Sequence, residues 1–384
     1  MTKKAETLLR QRKLTGISLF SGAGGMDIGV IRAGFNVLAC IEFDHYCCET
    51  LRTNIQRERR KTIVHETDVR IADPHKMMRL MDLKEGELDL LFGGPPCQSF
   101  SQIGKQLALN DERGLLLFQM IRYAEALRPK VILIEQVKGL LSSKNNEGKK
   151  GGVFDLLLSE LERLGYVPKW KILNAADFGV AQNRQRVFIV ATEKPNGFVF
   201  PAPTHGENGA GVSLFKLKPY VSVGEALAGL GKPSPKSEGG RSDSHVDVTP
   251  NGDRRRIHGV PEGSYLSAQT HLPKSQIMNL TKKDTTKFLR LSRNKISHTL
   301  RCGEIFYHPT EDSYLTPREY MRVHGYPDDY LLCGPIRGRS GAVRDLDQHR
   351  QVANSVPPPL SKIIALNIKK VIECRKSSNC SVSP

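Results

Sequence analysis

The sequence predicts an α/β fold, a doubly wound and mostly parallel sheet accompanied by a second, smaller irregular domain. Three observations carry this. The first half alternates short apolar runs with amphipathic stretches; the middle of the chain loses that rhythm; a helical pattern returns near the end. The apolar runs are residues 17–20, 37–41, 88–92, 131–134 and 187–191, each of strand length, and residues 115–127 and 153–164 between them have helical spacing. Strand and helix in alternation argue for parallel strands with helices on both faces. From about Phe200 the chain is broken by Pro201, Pro203, Gly206, Gly209 and Gly211, then runs polar and rich in Gly and Ser from Lys232 to Ser244, with no periodicity until about Tyr314. From Gln351 to Ile372 the spacing is helical again, with Asn354-Ser355-Val356-Pro357 as its expected start. The expected organisation is therefore a first domain over 1–199, a second over 200–345, and a segment over 346–384 that returns to the first.

A length of 384 residues suits one large and one smaller domain, and 39% hydrophobic with 25% charged residues suits a packed core. No run of eighteen apolar residues is present, and Met1 to Lys13 is polar, so neither a membrane span nor a signal peptide is expected and the reading is a cytoplasmic protein. None of the eight cysteines forms a Cys-x-x-Cys pair, which gives a metal site no support. The formal net charge of +17 points to a polyanion partner. From Lys232 to Arg301 there are fourteen Lys and Arg against six Asp and Glu, a surplus of eight that holds nearly half of that charge.

Ligands of open parallel sheets sit at the carboxyl ends of the strands, so the residues just after each run are informative. After the first comes Ser21-Gly22-Ala23-Gly24-Gly25. Such a turn brings a ligand to the backbone, although a plain tight turn is an equal reading. Asp27 stands where a dinucleotide fingerprint has its last glycine, which argues against a pyrophosphate. Glu42 follows the second run, twenty positions beyond Gly22, the distance at which an acid meets ribose hydroxyls, and Asp68 is a weaker candidate of the same kind. After the third run, residues 88–92, comes Gly93-Gly94-Pro95-Pro96-Cys97-Gln98-Ser99-Phe100-Ser101, a loop that cannot be regular structure and that displays a cysteine. On spacing alone, nucleophile and small buried hydrophobe are even readings of Cys97. Glu135 closes an apolar strand, where an unpaired carboxylate is costly, so it is a site residue or a base's partner. In Gln182-Asn183-Arg184-Gln185-Arg186, alternation would put Gln182, Arg184 and Arg186 on one face towards an anionic or carbonyl-bearing ligand.

In this order the residues resemble the cytosine-5 DNA methyltransferase family over nearly the whole chain. The matching elements are Leu19 to Gly25, Gly94-Pro95-Pro96-Cys97-Gln98-Ser99-Phe100-Ser101, Asp111-Glu112-Arg113-Gly114, Glu135-Gln136-Val137, Gln182-x-Arg184-x-Arg186, Leu315-Thr316-Pro317-Arg318-Glu319 with Tyr326-Pro327, and Asn354-Ser355-Val356. The resemblance implies a Rossmann-like class I fold that uses S-adenosyl-L-methionine, with a small target-recognition domain. It implies Cys97 as nucleophile, Glu135 on ring nitrogen 3 and the exocyclic amine, Arg186 on oxygen 2, and Arg184 and Gln98 in support. For the cofactor it implies Phe20, Gly22, Gly24 and Gly25 around the methionine and adenosine, Glu42 on the ribose, Phe43 on adenine and Asp68 on its amine, with Pro96, Leu116, Asn354 and Val356 completing the pocket. The partner implied is double-stranded DNA with its target base flipped out. Candidate contacts are Ser99, Ser101, Arg254, Arg255, Arg256, Lys282, Lys283, Lys287 and Arg290, for each of which a solvated cationic loop is an equal reading.

The chain departs from the family pattern at Ser18, where Asp is usual, at Gln136, where Asn is usual, and at Ala353, where Gly is usual. Gln136 is one methylene longer than Asn and is expected to alter loop geometry or rate. A compact chain of this kind suits a restriction–modification system with a separately acting endonuclease, and a monomer suffices for one flipped base. The competing readings are a tRNA cytosine-5 methyltransferase, which Glu135-Gln136-Val137-Lys138-Gly139 faintly favours, and a non-catalytic DNA-binding regulator.

Overall fold

A computed structural model of the chain describes residues 13–96, 116–145, 148–193, 197–207, 217–235, 243–269, 271, 273, 288–336 and 345–376. Its centre is a seven-stranded sheet of β1 (Thr15–Leu19), β2 (Asn36–Glu42), β3 (Ile63–Glu66), β4 (Leu90–Gly93), β5 (Val131–Gln136), β6 (Tyr166–Asn174) and β7 (Gln185–Glu193). The spatial order is β3-β2-β1-β4-β5-β7-β6. The first five strands are parallel, and β7 runs antiparallel to both β5 and β6. The sheet is thus mostly parallel, as the sequence reading expects, with the antiparallel β7 between β5 and β6. The edge strand β6, absent from that reading, alternates poorly because its middle is exposed and carries Pro168, Lys169 and Lys171.

Strand periodicity sorts the core into two layers. Ile17, Leu19, Ile41, Leu91, Ile132, Ile134 and Ile189 pack on one face beneath α4 (Leu116–Leu127) and α5 (Gly152–Arg163), with Met77 of α3 (Pro74–Leu80). Val37, Cys40, Leu90, Phe92, Leu133 and Phe188 pack on the other face with α1 (Gly25–Arg32), Leu51 of α2 (His45–Arg57) and α10 (Pro358–Lys376). α10 lies along α1 at close range: a Cβ on Gly29 would stand 2.5 Å from the Lys362 backbone nitrogen. The C-terminal segment thus packs on this face of the sheet. Its helix starts at Pro358, however, because Asn354 ends the short α9 (Gln348–Asn354) and the prolines that follow open a new helix.

Between residues 200 and 345 the described elements are short. They include the two-stranded pairs β8 (His205–Gly206) with β9 (Lys218–Pro219) and β10 (Ser234–Pro235) with β11 (Val246–Asp247), and the helices α6 (Val223–Leu227), α7 (Asn251–Ile257) and α8 (Pro317–His324). Tyr320, Met321, Val323 and Tyr330 share a core with Ala23 and Ile28 below the glycine turn and with Val352 and Ala353 of α9. No helix among the described residues is long and apolar enough to cross a membrane.

α8 opens with a capping box: the Thr316 side chain accepts from the Glu319 backbone, Glu319 accepts from the Thr316 nitrogen, and Pro317 holds the first turn. Glu319 is buried, and burial pushes its carboxyl up to about 7, with Asp247 and Glu311 adding to the rise. A carboxyl raised in the folded state stabilises the fold while protonated, and that contribution is lost as pH climbs through about 7. Glu319→Gln, which resembles the protonated form, is therefore expected to match wild type near pH 4.5 and to exceed it by about 2 kcal/mol at pH 8 in urea denaturation. Equal stabilities at pH 8 would contradict this.

Candidate active site

The strand order reverses between β1 and β4, so the loops after these two strands diverge and leave a crevice at their carboxyl ends. The loop after β1 has positive φ at Phe20 (55°), Gly22 (54°) and Gly24 (76°). For Phe20 that is a strained conformation, of the kind that gathers at ligand sites. Glu42, at the end of β2, holds this loop: its carboxylate accepts from the backbone nitrogens of Gly22 (2.7 Å), Phe43 (2.9 Å) and Asp44 (2.9 Å). Burial raises its carboxyl above the ordinary range, against these three donors. Phe43 is 69% exposed beside it, an aromatic face left in solvent. Asp68 follows β3 and is held by Arg70, whose Nη2 reaches Oδ2 at 2.6 Å.

The loop after β4 begins Gly93 to Pro96. Gln136 at the end of β5 donates from Nε2 to the Pro95 carbonyl at 2.7 Å, and its Oε1 accepts from the Val137 nitrogen at 3.3 Å. The extra methylene over Asn thus carries the amide to the chain two residues before Cys97. Gln136→Asn is expected to lose the Pro95 bond and lower kcat several-fold, on the order of 1 kcal/mol, with cofactor affinity unchanged. Steady-state kinetics and calorimetry check this; an unchanged kcat would contradict it. Cys97, Gln98, Ser99, Ser101 and the Asp111–Gly114 element lie outside the described residues.

Glu135 is buried, and its Oε1 pairs with Arg186 Nε at 3.0 Å. Because β7 is antiparallel, its first residues lie against the last residues of β5, with Glu135 opposite Phe188 and Gln136 opposite Val187. That direction is what brings Arg186 to the carboxyl-end edge. Burial raises the Glu135 carboxyl above its ordinary range, and Arg186 and then Arg184 pull it down. Gly94 faces this carboxylate, and a Cβ there would stand 3.1 Å from Oε2.

The strand starts only at Gln185, so Gln182, Arg184 and Arg186 do not act as one extended face. Arg184 is buried and donates to the Ala353 carbonyl at 2.9 Å and the Ser355 carbonyl at 3.0 Å through Nη2, and to the Leu300 carbonyl at 3.5 Å through Nη1. Gln182 accepts from the Leu300 nitrogen at 3.0 Å and meets His324 Nδ1 at 2.9 Å, while His324 Nε2 lies 3.0 Å from the Ser355 carbonyl. The carbonyl needs a donor, so Nε2 carries the proton and Nδ1 accepts from the Gln182 amide. Burial, then Arg184, lower the His324 pKa well below its ordinary value, which keeps this tautomer neutral. The 353–355 backbone is thereby clamped from two sides. A cleft is lined by Ser18, Phe20, Gly22, Asp27, Gly94, Glu135, Asn354 and Val356 among others. Gly24 and Gly25 are closely packed on one side: Cβ atoms there would stand 2.6 Å from the Tyr330 hydroxyl and 2.4 Å from the Val356 carbonyl oxygen. Pro96 and Leu116 flank the β4 loop and the start of α4.

The sequence profile of the C-5 cytosine-specific DNA methylases matches residues 14–370, nearly all of the chain. The chain belongs to this family. It is a DNA cytosine-5 methyltransferase. The methylase is 32% identical over 348 residues to Type II methyltransferase M.NgoFVII of Neisseria gonorrhoeae, an overlap of 89% of this chain and 83% of that one. It is 39% identical over 233 residues to Type II methyltransferase M.AquIA of Picosynechococcus, covering 58% of this chain and 90% of the relative. A prophage-encoded DNA modification methyltransferase from E. coli has the same fold, with a TM-score of 0.69 at 20% identity, covering 94% of this chain and 99% of that one.

The methylase's basic candidates are placed unequally. Arg255 is exposed. Arg254 pairs with Asp247, and Arg256 lies over the Phe288 ring at 5.9 Å and 3.9 Å from Asp253. Arg290, a candidate DNA contact from sequence, is buried: it donates to the carbonyls of Val260 (2.9 Å), Pro309 (3.1 Å) and Glu311 (3.1 Å) and pairs with Asp312 at 3.2 Å. A guanidinium so engaged ties this region together. Lys282, Lys283 and Lys287 lie outside the described residues. Sequence reasoning missed the Gln182–His324 contact, which joins positions 142 apart, and the wall position of Asp27. The one available signal for Asp27 was an acid in the place of a glycine.

Proposed function

We propose that the methylase transfers a methyl group from S-adenosyl-L-methionine to carbon 5 of a cytosine in a specific duplex DNA sequence, through a covalent Cys97 adduct on a flipped-out base. The observation that supports this best is the buried Glu135–Arg186 pair, set beside Gly94 on the loop that leads to Cys97.

The Cys97 thiolate adds to carbon 6 of the ring. Glu135 meets nitrogen 3 and the exocyclic amine, and its raised carboxyl lets it hold a proton there as negative charge develops. Arg186 serves oxygen 2 with its planar fork. Their mutual pairing keeps both groups desolvated and aligned until the base displaces it. Electron density from the addition reaches carbon 5, the position that takes the methyl group. Loss of the carbon 5 proton and departure of the thiolate then restore the ring.

Of the residues assigned to the donor, Phe20, Gly22, Asn354 and Val356 line the cleft, which supports this reading. Glu42 keeps acceptor capacity beyond its three backbone donors for ribose hydroxyls, and the exposed Phe43 ring is offered to adenine, with Asp68 assigned to its amine. Asn354 and Val356 form one wall with Gly22 giving backbone access, and Pro96 and Leu116, on either side of the loop after β4, are assigned to the same pocket. S-adenosyl-L-methionine supplies an electrophilic methyl group on a sulfonium. Both named relatives are Type II methyltransferases, which supports a protective role in a restriction–modification system with a separately acting endonuclease. Cationic residues of the 200–345 region, Arg255 first among the described ones, read the duplex with phosphate contacts setting register.

The test is covalent trapping on mixed-sequence duplex carrying 5-fluorocytosine, whose fluorine cannot leave as a proton does. A denaturation-resistant adduct on duplex, absent with Cys97→Ala, is expected. An adduct only on fluorocytosine tRNA would move the substrate to RNA. DNA binding with no adduct at all would favour a non-catalytic regulator.

A further inference from the structure

We infer that Asp27 is the counter-ion for the ammonium group at the amino-acid end of the methyl donor, standing in for the carboxylate that the family usually carries at position 18. The inference rests on S-adenosyl-L-methionine being that donor.

Asp27 is in the first turn of α1, 3% exposed. Its Oδ1 accepts from Cys40 Sγ at 3.3 Å, and its Oδ2 has no hydrogen-bond partner among the described residues. None of the ion pairs found among those residues includes it. The groups around it are neutral: the Ser18 hydroxyl on β1, the Cys40 thiol on β2, and the hydroxyls of Tyr326 and Tyr330 after α8. A carboxylate buried without a cation is costly, and proteins resolve that cost by pairing it. Burial raises this carboxyl to about 6 against the opposing pull of Ser18 and Cys40, so a cation entering the cleft would find it readily ionised near neutral pH.

Two acids line the cleft, Glu135 and Asp27. Glu135 is already held by Arg186 at 3.0 Å, which leaves Asp27 as the acid without a cation. Ser18 lines the same cleft, and its hydroxyl accepts from Ser21 Oγ at 2.9 Å. It faces the carboxyl of Asp27, so the charge missing from β1 is supplied from α1 across one side chain's width. With the ribose assigned to Glu42, which is bonded to Gly22 of the cleft wall, Asp27, on the same lining as Ser355 and Val356, is left for the zwitterionic end.

Calorimetry on the full chain tests this with two ligands that share the adenosine thioether: S-adenosylhomocysteine, which has the ammonium, and 5′-methylthioadenosine, which lacks the amino-acid end. Asp27→Asn is expected to weaken S-adenosylhomocysteine about tenfold or more and to leave 5′-methylthioadenosine unchanged. Adding Ser18→Asp to that variant is expected to restore most of the affinity. Equal loss for both ligands, no loss for either, or a loss confined to S-adenosylmethionine, whose sulfonium would then be the partner, overturns the inference. A wild type that binds none of the three would instead remove the donor reading on which it rests.

Discussion

Glu135→Gln is expected to lower kcat by about 10³-fold while S-adenosylhomocysteine affinity and DNA retention stay near wild type. The glutamine amide can still donate a hydrogen bond to nitrogen 3 of the base, but it cannot share a proton with it, and the charge that develops on thiolate addition goes uncompensated. The variant also leaves Arg186 without the carboxylate it meets at 3.0 Å. Breaking a largely buried pair is destabilising, here by about 1–3 kcal/mol because the loss is partly offset by no longer burying a carboxylate. The two effects separate when kinetics are measured well below the melting transition. A fall in DNA or cofactor affinity with kcat intact would assign Glu135 to binding alone.

Arg184→Ala is expected to act in the opposite way, on stability and cofactor affinity more than on chemistry. Arg184 is buried, and its guanidinium satisfies the carbonyls of Ala353 and Ser355, either side of Asn354 on the cleft wall. Removing it orphans those acceptors, opens a cavity and leaves His324 as the remaining clamp on Ser355, at a cost of about 3–5 kcal/mol. Cofactor affinity should fall by at least about tenfold as the 354–356 wall relaxes. Arg184→Lys keeps the charge but not the fork, so it should fall between the two. Urea titration and calorimetry give both numbers. An Arg184→Ala variant as stable as wild type would show that the clamp carries no weight.

Much of this was legible in the sequence, for identifiable reasons. The alternation of apolar runs and amphipathic stretches is local, and burial on both faces of the sheet explains why residues 131–134 read as a continuous apolar run. Glu135 and Glu42 announced themselves as acids ending such runs, and they lie at the carboxyl edge. Strand direction was not legible, because composition does not encode it: β7 reads like its parallel neighbours, and only pairing reveals that it runs antiparallel. β6 was hidden by its exposed edge, and Arg290 by the fact that an arginine bonded to carbonyls has the same sequence signature as one facing a phosphate. The division of labour within Gln182-x-Arg184-x-Arg186 also needed coordinates. One residue holds His324, the next the 353–355 backbone, the last Glu135, and these partners lie far apart in the chain.

The most direct test of the central claim is methyl transfer from labelled S-adenosyl-L-methionine to mixed-sequence duplex DNA, wild type against Cys97→Ala, with the product mapped at base resolution. The account predicts label on carbon 5 of cytosine within one short recurring motif, and none with the variant. Label on duplex DNA that persists in Cys97→Ala, or no label on DNA from folded, cofactor-binding wild type, would contradict it.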